Sequence, residues 1–553
     1  MADSRADEII RRQEGMLSER SIFESHWREI AERILPRSNH FRVNRNPGDK
    51  MTEKVFDATA NLALDRFAAA MESMLTPRTQ RWHKLRPIDP ELAEDPEVQA
   101  WMDEVTQILF SVRYSPKSNF ASQANEVYVS LGAFGTGGMF IDDDPGRGIR
   151  YRSVHLSEMF IAENHQGVID TVYRKFPMTA RQAAQKFGTD NLAETIKAAL
   201  EKNPDRRFDF IHAVSPNTDK KPGRKDYRGM DYYSCYVSID GKNILAEGGY
   251  RAFPYAVGRY TTSPKEVYGR SPAMTVLPDI KMLNEMSKTV IRAAHKIVDP
   301  PLLLQEDGAL QAFNLAPGSL NFGGVNDQGQ QVVHPLQTNA RVDIGLEMMD
   351  QRRQIINDAF LVTLFQILVD APQMTATEAM LRAQEKGALL APTMGRQQSE
   401  FLGPMIEREL DILAKAGVLP PMPQALIDAG GMVDVEYVSP LNKAQRAEEG
   451  VAILRTLESV TPLAQIDPSV MSVFDPEAIA RELADINGVP AKVIRSKEKI
   501  QAMKDQQAEA SEAQALLQAA PVVSRSAKDL AQAQALAGSA APNQQAPGIF
   551  PQP

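Results

Sequence analysis

The stretch Val267–Pro301, VYGRSPAMTVLPDIKMLNEMSKTVIRAAHKIVDPP, decides how the rest of the chain is read. Tyr268-Gly269-Arg270-Ser271-Pro272 reads as a tight corner feeding a long helix. Ser271-Pro272 can open its first turn, because proline fits the first helical position. Pro278 kinks or restarts the helix, and Pro300-Pro301 stop it. At about 100° per residue, Lys281, Lys288, Arg292 and Lys296 fall on one side, with His295 beside them. Leu283, Met286, Val290, Ala294 and Ile297 fall on the other, so the helix is amphipathic. Glu285 lies among the cations and can pair with Lys281 and Lys288. By itself such a row is a solvated helix face. Identical copies packed around an axis turn each cation into a ring of cations, able to touch a phosphate backbone without reading its sequence.

Outward from this helix the architecture is that of a hairpin. Residues 300–340 are short strand-like runs punctuated by Gly and Pro, and RVDIGLEMMDQRRQIINDAFLVTLF is a second long helix over about 341–366. Two helices joined through a small β insertion make a protruding arm with something at its tip. Residues 1–270 read as α+β: helices over about 5–35 (ended by Pro36), 55–75, 95–113 and 119–133, then strands rich in Val, Ile, Tyr and Phe. TARQAAQKFG is a short helix capped by Thr179 and stopped by Gly188. Asp240-Gly241 reads as a hairpin turn. Helix returns over 375–415, VDVEYVSPL is a strand, residues 443–520 are mostly helix, and the Ala/Gln-rich end reads as a disordered tail. The fold class expected is α+β, predominantly helical.

Composition narrows the function. The chain has 553 residues and a net charge of −9, so tight non-specific gripping of nucleic acid is not expected. A single cysteine, Cys235, forbids internal disulfides and suits a reducing compartment; mid-strand between tyrosines, it reads as an inert buried thiol. The N-terminus lacks the apolar stretch of a secretion signal, and AFLVTLFQILV is about half the length of a membrane span. GAFGTGG lacks the Gly-Lys-Ser/Thr of a phosphate loop and reads as a turn packed closely on its neighbours. Asp142, Asp143 and Asp144 lack the spacing of a calcium loop and read as a solvated acidic turn. No zinc ligand set and no nucleophile elbow is present. No catalytic residues, metal or cofactor are therefore expected, and a building block is favoured over an enzyme. Sequence-specific DNA binding is disfavoured by the acidic balance.

Several stretches then meet in order: RWHKLRP after LALDRFAAAMESMLTP, AFGTGGMFID, MTARQAAQKFG, FPYAVGRYTTSPKEVYGRSP and QMTATEAMLRAQEKG. Together, over most of residues 5–460, they resemble the portal, or head-to-tail connector, proteins of short-tailed bacteriophages of the T7-like type. The most specific elements are Tyr268 to Pro272 and Met374 to Glu378, where Thr375 with Glu378 also fits a capping box; Tyr260 stands where relatives often carry tryptophan. The resemblance implies a ring, usually of twelve copies, at one capsid vertex. It implies a wing (1–270), a stem of two helices (271–299 and 341–362), a clip (300–340), tunnel loop and wing helices (363–440), a crown (441–505) and a barrel helix with tail (506–553). The implied partners are double-stranded DNA, the terminase large subunit, capsid and scaffolding proteins and a tail adaptor, with no membrane. The implied location is the virion, with assembly in the host cytoplasm. In this reading the cation row faces the channel or pairs with Asp343, Glu347 and Asp350 of the next copy's second stem helix. A ring-forming collar or adaptor without a packaging role is the alternative.

Overall fold

The computed structural model describes residues 2–38, 40–41, 48, 52–144, 148–224, 226–304, 342–363, 391–438, 440–466, 473–486, 500 and 503–506, together with parts of 314–336. The chain divides into two compact units, one built from residues 1–93 and 101–452, the other from 94–100 and 453–553. The mixture of helix and sheet agrees with the class expected from sequence.

In the first unit, helices α1 (Ala2–Glu19), α2 (Ser21–Ile34) and α3 (Thr59–Leu75) precede strand β1 (His83–Pro87), and α4 (Pro96–Arg113), in this unit from Trp101 onward, and α5 (Phe120–Phe134) follow. The single helix expected over 5–35 is broken at Arg20. Its buried guanidinium donates to the carbonyls of Leu156 (2.9 Å), Met159 (2.7 Å) and Ser157 (3.0 Å). A guanidinium withdrawn from water needs its N–H groups satisfied, and bending the chain at this residue delivers it to three carbonyls at once.

Two antiparallel sheets form the β part. Strands β2 (Thr136–Asp144), β3 (Gly148–Val154) and β9 (Tyr255–Arg259) run in the order β3-β2-β9. Strands β4 (Met159–Glu163), β5 (Ile169–Thr179), β6 (Arg207–Pro216), β7 (Tyr232–Ser238) and β8 (Asn243–Tyr250) run in sequence order. Alternation gives the five-stranded sheet two apolar faces. Ile211, Ala213, Tyr233, Cys235 and Val237 pack with Ile9 and Ile10 of α1. Phe208, Phe210 and Leu245 pack with Ala183, Phe187 and Ile196, carried by α6 (Ala180–Phe187) and α7 (Glu194–Lys202). Cys235 is fully buried, and burial first, with the nearby Glu247 charge, pushes its thiol up to about 11. Thr179 caps α6 in a reciprocal capping box with Gln182. In the β7–β8 turn the positive φ falls on Lys242, at 48°, rather than on Gly241.

The long helix α8 (Pro272–Val298) is followed by the short pair β10 (Leu302–Leu304) and β11 (Val333–Pro335), then by α9 (Val342–Ala359). Beyond it come a π-helical turn, Gln398–Leu402, the helix Gly403–Lys415, the helical turn Gln424–Asp428 and β12 (Val433–Tyr437), which pairs with β1. Helix Pro440–Ile466 continues from this unit into the second, which also contains Pro476–Ile486 with Glu477 paired to Arg481 and Lys504. The capping box expected at Thr375 and Glu378, most of 363–395, and the C-terminal tail lie outside the described residues.

Glycine placement explains GAFGTGG as packing. A Cβ on Gly132 would meet the Leu64 and Phe67 side chains at 2.7 Å, and one on Gly137 would meet Val127 O at 2.6 Å. Asp142 to Asp144 are the end of strand β2, not a turn. No group of three or more metal-ligating side chains occurs among the described residues, and no helix among them is long and apolar enough to cross a membrane.

Candidate functional site

The site is the α8–α9 hairpin and the corner from which it springs. Helix α5 ends at Gly135, which caps it in the left-handed conformation (φ 78°). The backbone then runs against Gly269 so closely that a Cβ on either glycine would collide with the other's carbonyl. Gly269 N donates to Thr136 Oγ1 (2.9 Å), and Tyr260 N donates to Gly135 O (2.9 Å). Tyr268 is buried edge-on against Trp27, ring centroids 5.2 Å apart, and its hydroxyl accepts from Ile161 N (3.3 Å). Arg270 points outward and pairs with Glu266, while its backbone bridges to Thr261. Ser271 is the N-cap of α8, accepting from Met274 N (3.0 Å) and donating to Ala133 O (2.8 Å), with Pro272 in the first turn.

Helix α8 has 27 residues, about 40 Å of rise. Pro278 sits on its exposed side without ending it. The buried stripe is Val276, Leu277, Ile280, Leu283, Asn284 and Ser287. Of the apolar side expected from the sequence, only Leu283 is buried; Met286, Val290 and Ala294 are half-buried and Ile297 is exposed. Two polar residues replace apolar ones in the stripe for a reason visible in their bonds. Asn284 Oδ1 accepts from Phe56 N (2.8 Å) and Asp57 N (3.2 Å), pinning the segment before α3. Ser287 Oγ lies 3.3 Å from Met349 Sδ of α9. Gly345 lets α9 approach: a Cβ there would lie 2.9 Å from Val290. Asp279 and Arg352 (2.8 Å) clasp the two helices, and Arg353 reaches back to Asp57 (2.8 Å).

The four cations of α8 do not behave alike. Lys281 pairs with Glu29 of α2, and Lys288 pairs with Glu285 at 3.5 Å while its ammonium lies 5.6 Å from the Phe56 ring centre. Arg292 and Lys296, further along the helix, are exposed and make no ion pair with any described residue. On α9, Asp350 pairs within the chain with Arg353 (2.7 Å), and Glu347 is exposed with no described partner; Asp343 is exposed in the first turn. Sequence reasoning missed Glu29, Asp57, Asp279, Asn284, Arg352 and Arg353, because each bond joins residues far apart in the chain or hides a polar residue in an apolar stripe.

Asp57 yields a test. Burial pushes its carboxyl up, but hydrogen bonds from Thr59 and Arg353 outweigh this and hold it below the ordinary carboxylate value. A carboxylate depressed in the folded state stabilises it above the unfolded value near 3.8, and that stability is lost as pH falls through the lower folded value. Asp57→Asn is expected to cost about 1–2 kcal/mol at pH 7 and less at pH 3, below the unfolded value. Urea melts at the two pH values check this; an equal cost at both removes the carboxylate's role.

Comparison with known proteins places the chain. It matches the family described as bacteriophage head to tail connecting protein over residues 6–494, and it belongs to that family: it is a structural protein of the phage head-tail junction. It is 31% identical over 502 residues to a protein named probable portal protein of Bordetella phage BPP-1, covering 90% of each chain. To the portal protein of Salmonella phage epsilon15 it is 28% identical over 546 residues, covering 97% of each. Among solved structures it is similar to a chain of a native gene transfer agent virion, with a TM-score of 0.36 and 12% identity, covering 77% of this chain and 94% of that one.

Proposed function

We propose that the protein is a portal: identical copies close into a ring at one capsid vertex, and DNA is packaged and later ejected through the central channel. One observation carries this reading. The single chain leaves apolar residues bare along both helices of the hairpin: Met282, Ile291 and Ile297 on α8, Ile344, Leu346 and Met348 on α9, each 44–50% exposed. A slender arm with apolar residues bare on both helices is incomplete alone, and repeated copies around an axis cover it. Family membership and two relatives named as portals over nearly their whole length support the same reading.

In this proposal residues 1–270 are the wing, 271–299 and 341–362 the stem, and 300–340 the clip. Residues 363–440 hold the tunnel loop and wing helices, 441–505 the crown, and 506–553 a barrel helix and tail. Twelve copies, terminase docking, capsid and scaffolding contacts and a tail adaptor belong to the proposal. Leu320 and Phe322 between β10 and β11, each 83% exposed, suit the clip as a docking tip. Lys281 and Lys288 are held within the chain, so Arg292 and Lys296 are the cations left to face passing phosphates.

Electron microscopy of the purified protein, classified for rotational symmetry, tests the ring; a monodisperse monomer at high concentration refutes it. Packaging with purified terminase separates a portal from a collar. In Arg292→Ala/Lys296→Ala, rings are expected to form normally while DNA retention in the channel becomes less salt-dependent, because fewer phosphates are neutralised. Rings that fall apart in this variant would instead make the two cations bridges to the acids of the next copy.

A further inference from the structure

A cavity of about 690 Å³ opens between the two sheets, far in sequence from the hairpin. Its volume is that of a small-molecule site. Strand alternation builds its walls. Arg150 and Arg152 leave the same face of β3, opposite their register partners Asp142 and Phe140 on β2. Arg174 and Phe176 leave β5, His212 leaves β6, and Arg207 comes from the start of β6. Lys186 of α6 closes one side. Five cations thus meet one carboxylate, in a chain whose net charge is −9.

Of the five cations, only Arg174 has an ion-pair partner among the described residues. Arg174 is held by Glu158 (2.9 and 3.1 Å), and Lys186 donates to Tyr236 OH (3.1 Å). Arg150, Arg152 and Arg207 make no ion pair or side-chain hydrogen bond with any described residue. Desolvation in the cavity, and then repulsion from Arg174, push Arg152 below its ordinary value although its side chain stays partly open to solvent, with Glu158 opposing. Lys186 is lowered by burial too, with Asp142 opposing and Arg174 and Arg152 adding to the shift. The wall behind them is fixed and uncharged: His212 Nδ1 bonds to Tyr255 OH (2.8 Å) and Nε2 to Ser234 Oγ (3.0 Å), one nitrogen donating and the other accepting, and the ring stacks on Tyr236 at 4.0 Å. Burial, then the cations Lys186 and Arg174, push its ring well below 6.5.

The geometry points to an anion-binding cavity that takes a phosphate-bearing ligand, with Arg150, Arg152 and Arg207 as its free donors, Lys186 beside them on Tyr236, and Arg174 held in place by Glu158. Guanidinium forks match phosphate oxygens two at a time. The phosphate comes either from a free polyphosphate or from a nucleic-acid backbone, and the cavity chemistry is the same for both.

Isothermal titration of the full chain with sodium tripolyphosphate tests this. Saturable binding is expected, weakened about ten-fold or more in Arg152→Ala and in Arg207→Ala, and unchanged in Arg181→Ala, an exposed arginine of α6 outside the cavity. Because the altered arginines are exposed, thermal melts of the variants should match the parent; Arg152→Lys, which keeps charge but loses the fork, should bind with intermediate strength. Tripolyphosphate released by a short DNA duplex assigns the site to backbone phosphate, and tripolyphosphate retained assigns it to a small ligand. No binding by the parent chain, equal binding by the Arg152 and Arg207 variants, or tighter binding of a polyglutamate peptide than of tripolyphosphate overturns the proposal.

Discussion

Gly269→Val is expected to abolish the native corner: soluble yield falls steeply and no rings form. The new Cβ stands inside contact distance of Gly135 O, with Arg259 Cβ 3.0 Å away. The colliding atom is backbone, fixed by its own bond to Tyr260 N, so no rotamer change relieves the clash. Overpacking of this kind costs about 1–3 kcal/mol for side chains that can move, and more is expected here because the hydrogen bond from Gly269 N to Thr136 is disturbed as well. Gly135→Ala meets the same wall from the other side and adds about 1–2 kcal/mol for a left-handed backbone. Denaturant melts and electron micrographs of both variants check the claim; normal rings and parental melting from Gly269→Val would sink it.

Glu409→Ala is the second large effect. Glu409 and Arg113 are both fully buried and joined by two bonds of 3.0 and 2.5 Å. Tyr151 donates to the same carboxylate at 2.6 Å, and Arg113 donates to His83 at 2.9 Å. Removing the carboxylate strands a guanidinium in the core, which costs about 3–5 kcal/mol. The double change Arg113→Met/Glu409→Leu should cost less than the sum of its single changes, since neither charge is left behind. The cluster also makes the fold acid-sensitive. Burial, and then Arg113, push His83 well below its ordinary 6.5, and His212 is lowered in the same way. The unfolded chain therefore takes up protons below pH 6.5 that the folded chain refuses, so stability falls as pH drops from about 6.5. A melting temperature flat from pH 7 to 5 would contradict this.

What the sequence disclosed was local. Ser271 and Pro272 announce the start of α8, Thr179 and Gly188 bound α6, and the Val/Ile/Tyr runs mark most strands, because these signals depend on neighbours within a turn or two. The hairpin was legible for the same reason, two long periodic segments around a Gly/Pro-broken insert. What it concealed was long-range. Arg113 and Glu409 are 296 positions apart, and β1 finds its partner in β12 across a similar distance. Helical periodicity assigned Lys281 to a cation row, but Glu29 on another helix claims it. The break at Arg20 was invisible because three carbonyls from residues 156–159 create it. Among the described stretches of the family resemblance, GAFGTGG and YGRSP turn out to be the two sides of one junction, where Gly135 and Gly269 press backbone on backbone.

That junction has a mechanical meaning. The Ser271 hydroxyl closes an open carbonyl in the last turn of α5 and an open amide in the first turn of α8, while Trp27 Nε1 takes the next carbonyl, of Phe134, at 3.1 Å. Two helix ends are thus joined through one oxygen atom, with two glycine backbones pressed together beside it. A junction tied in this way has no slack loop between α5 and α8, so a load along α8 is expected to be handed to α5 and the strands that follow it rather than absorbed at the corner.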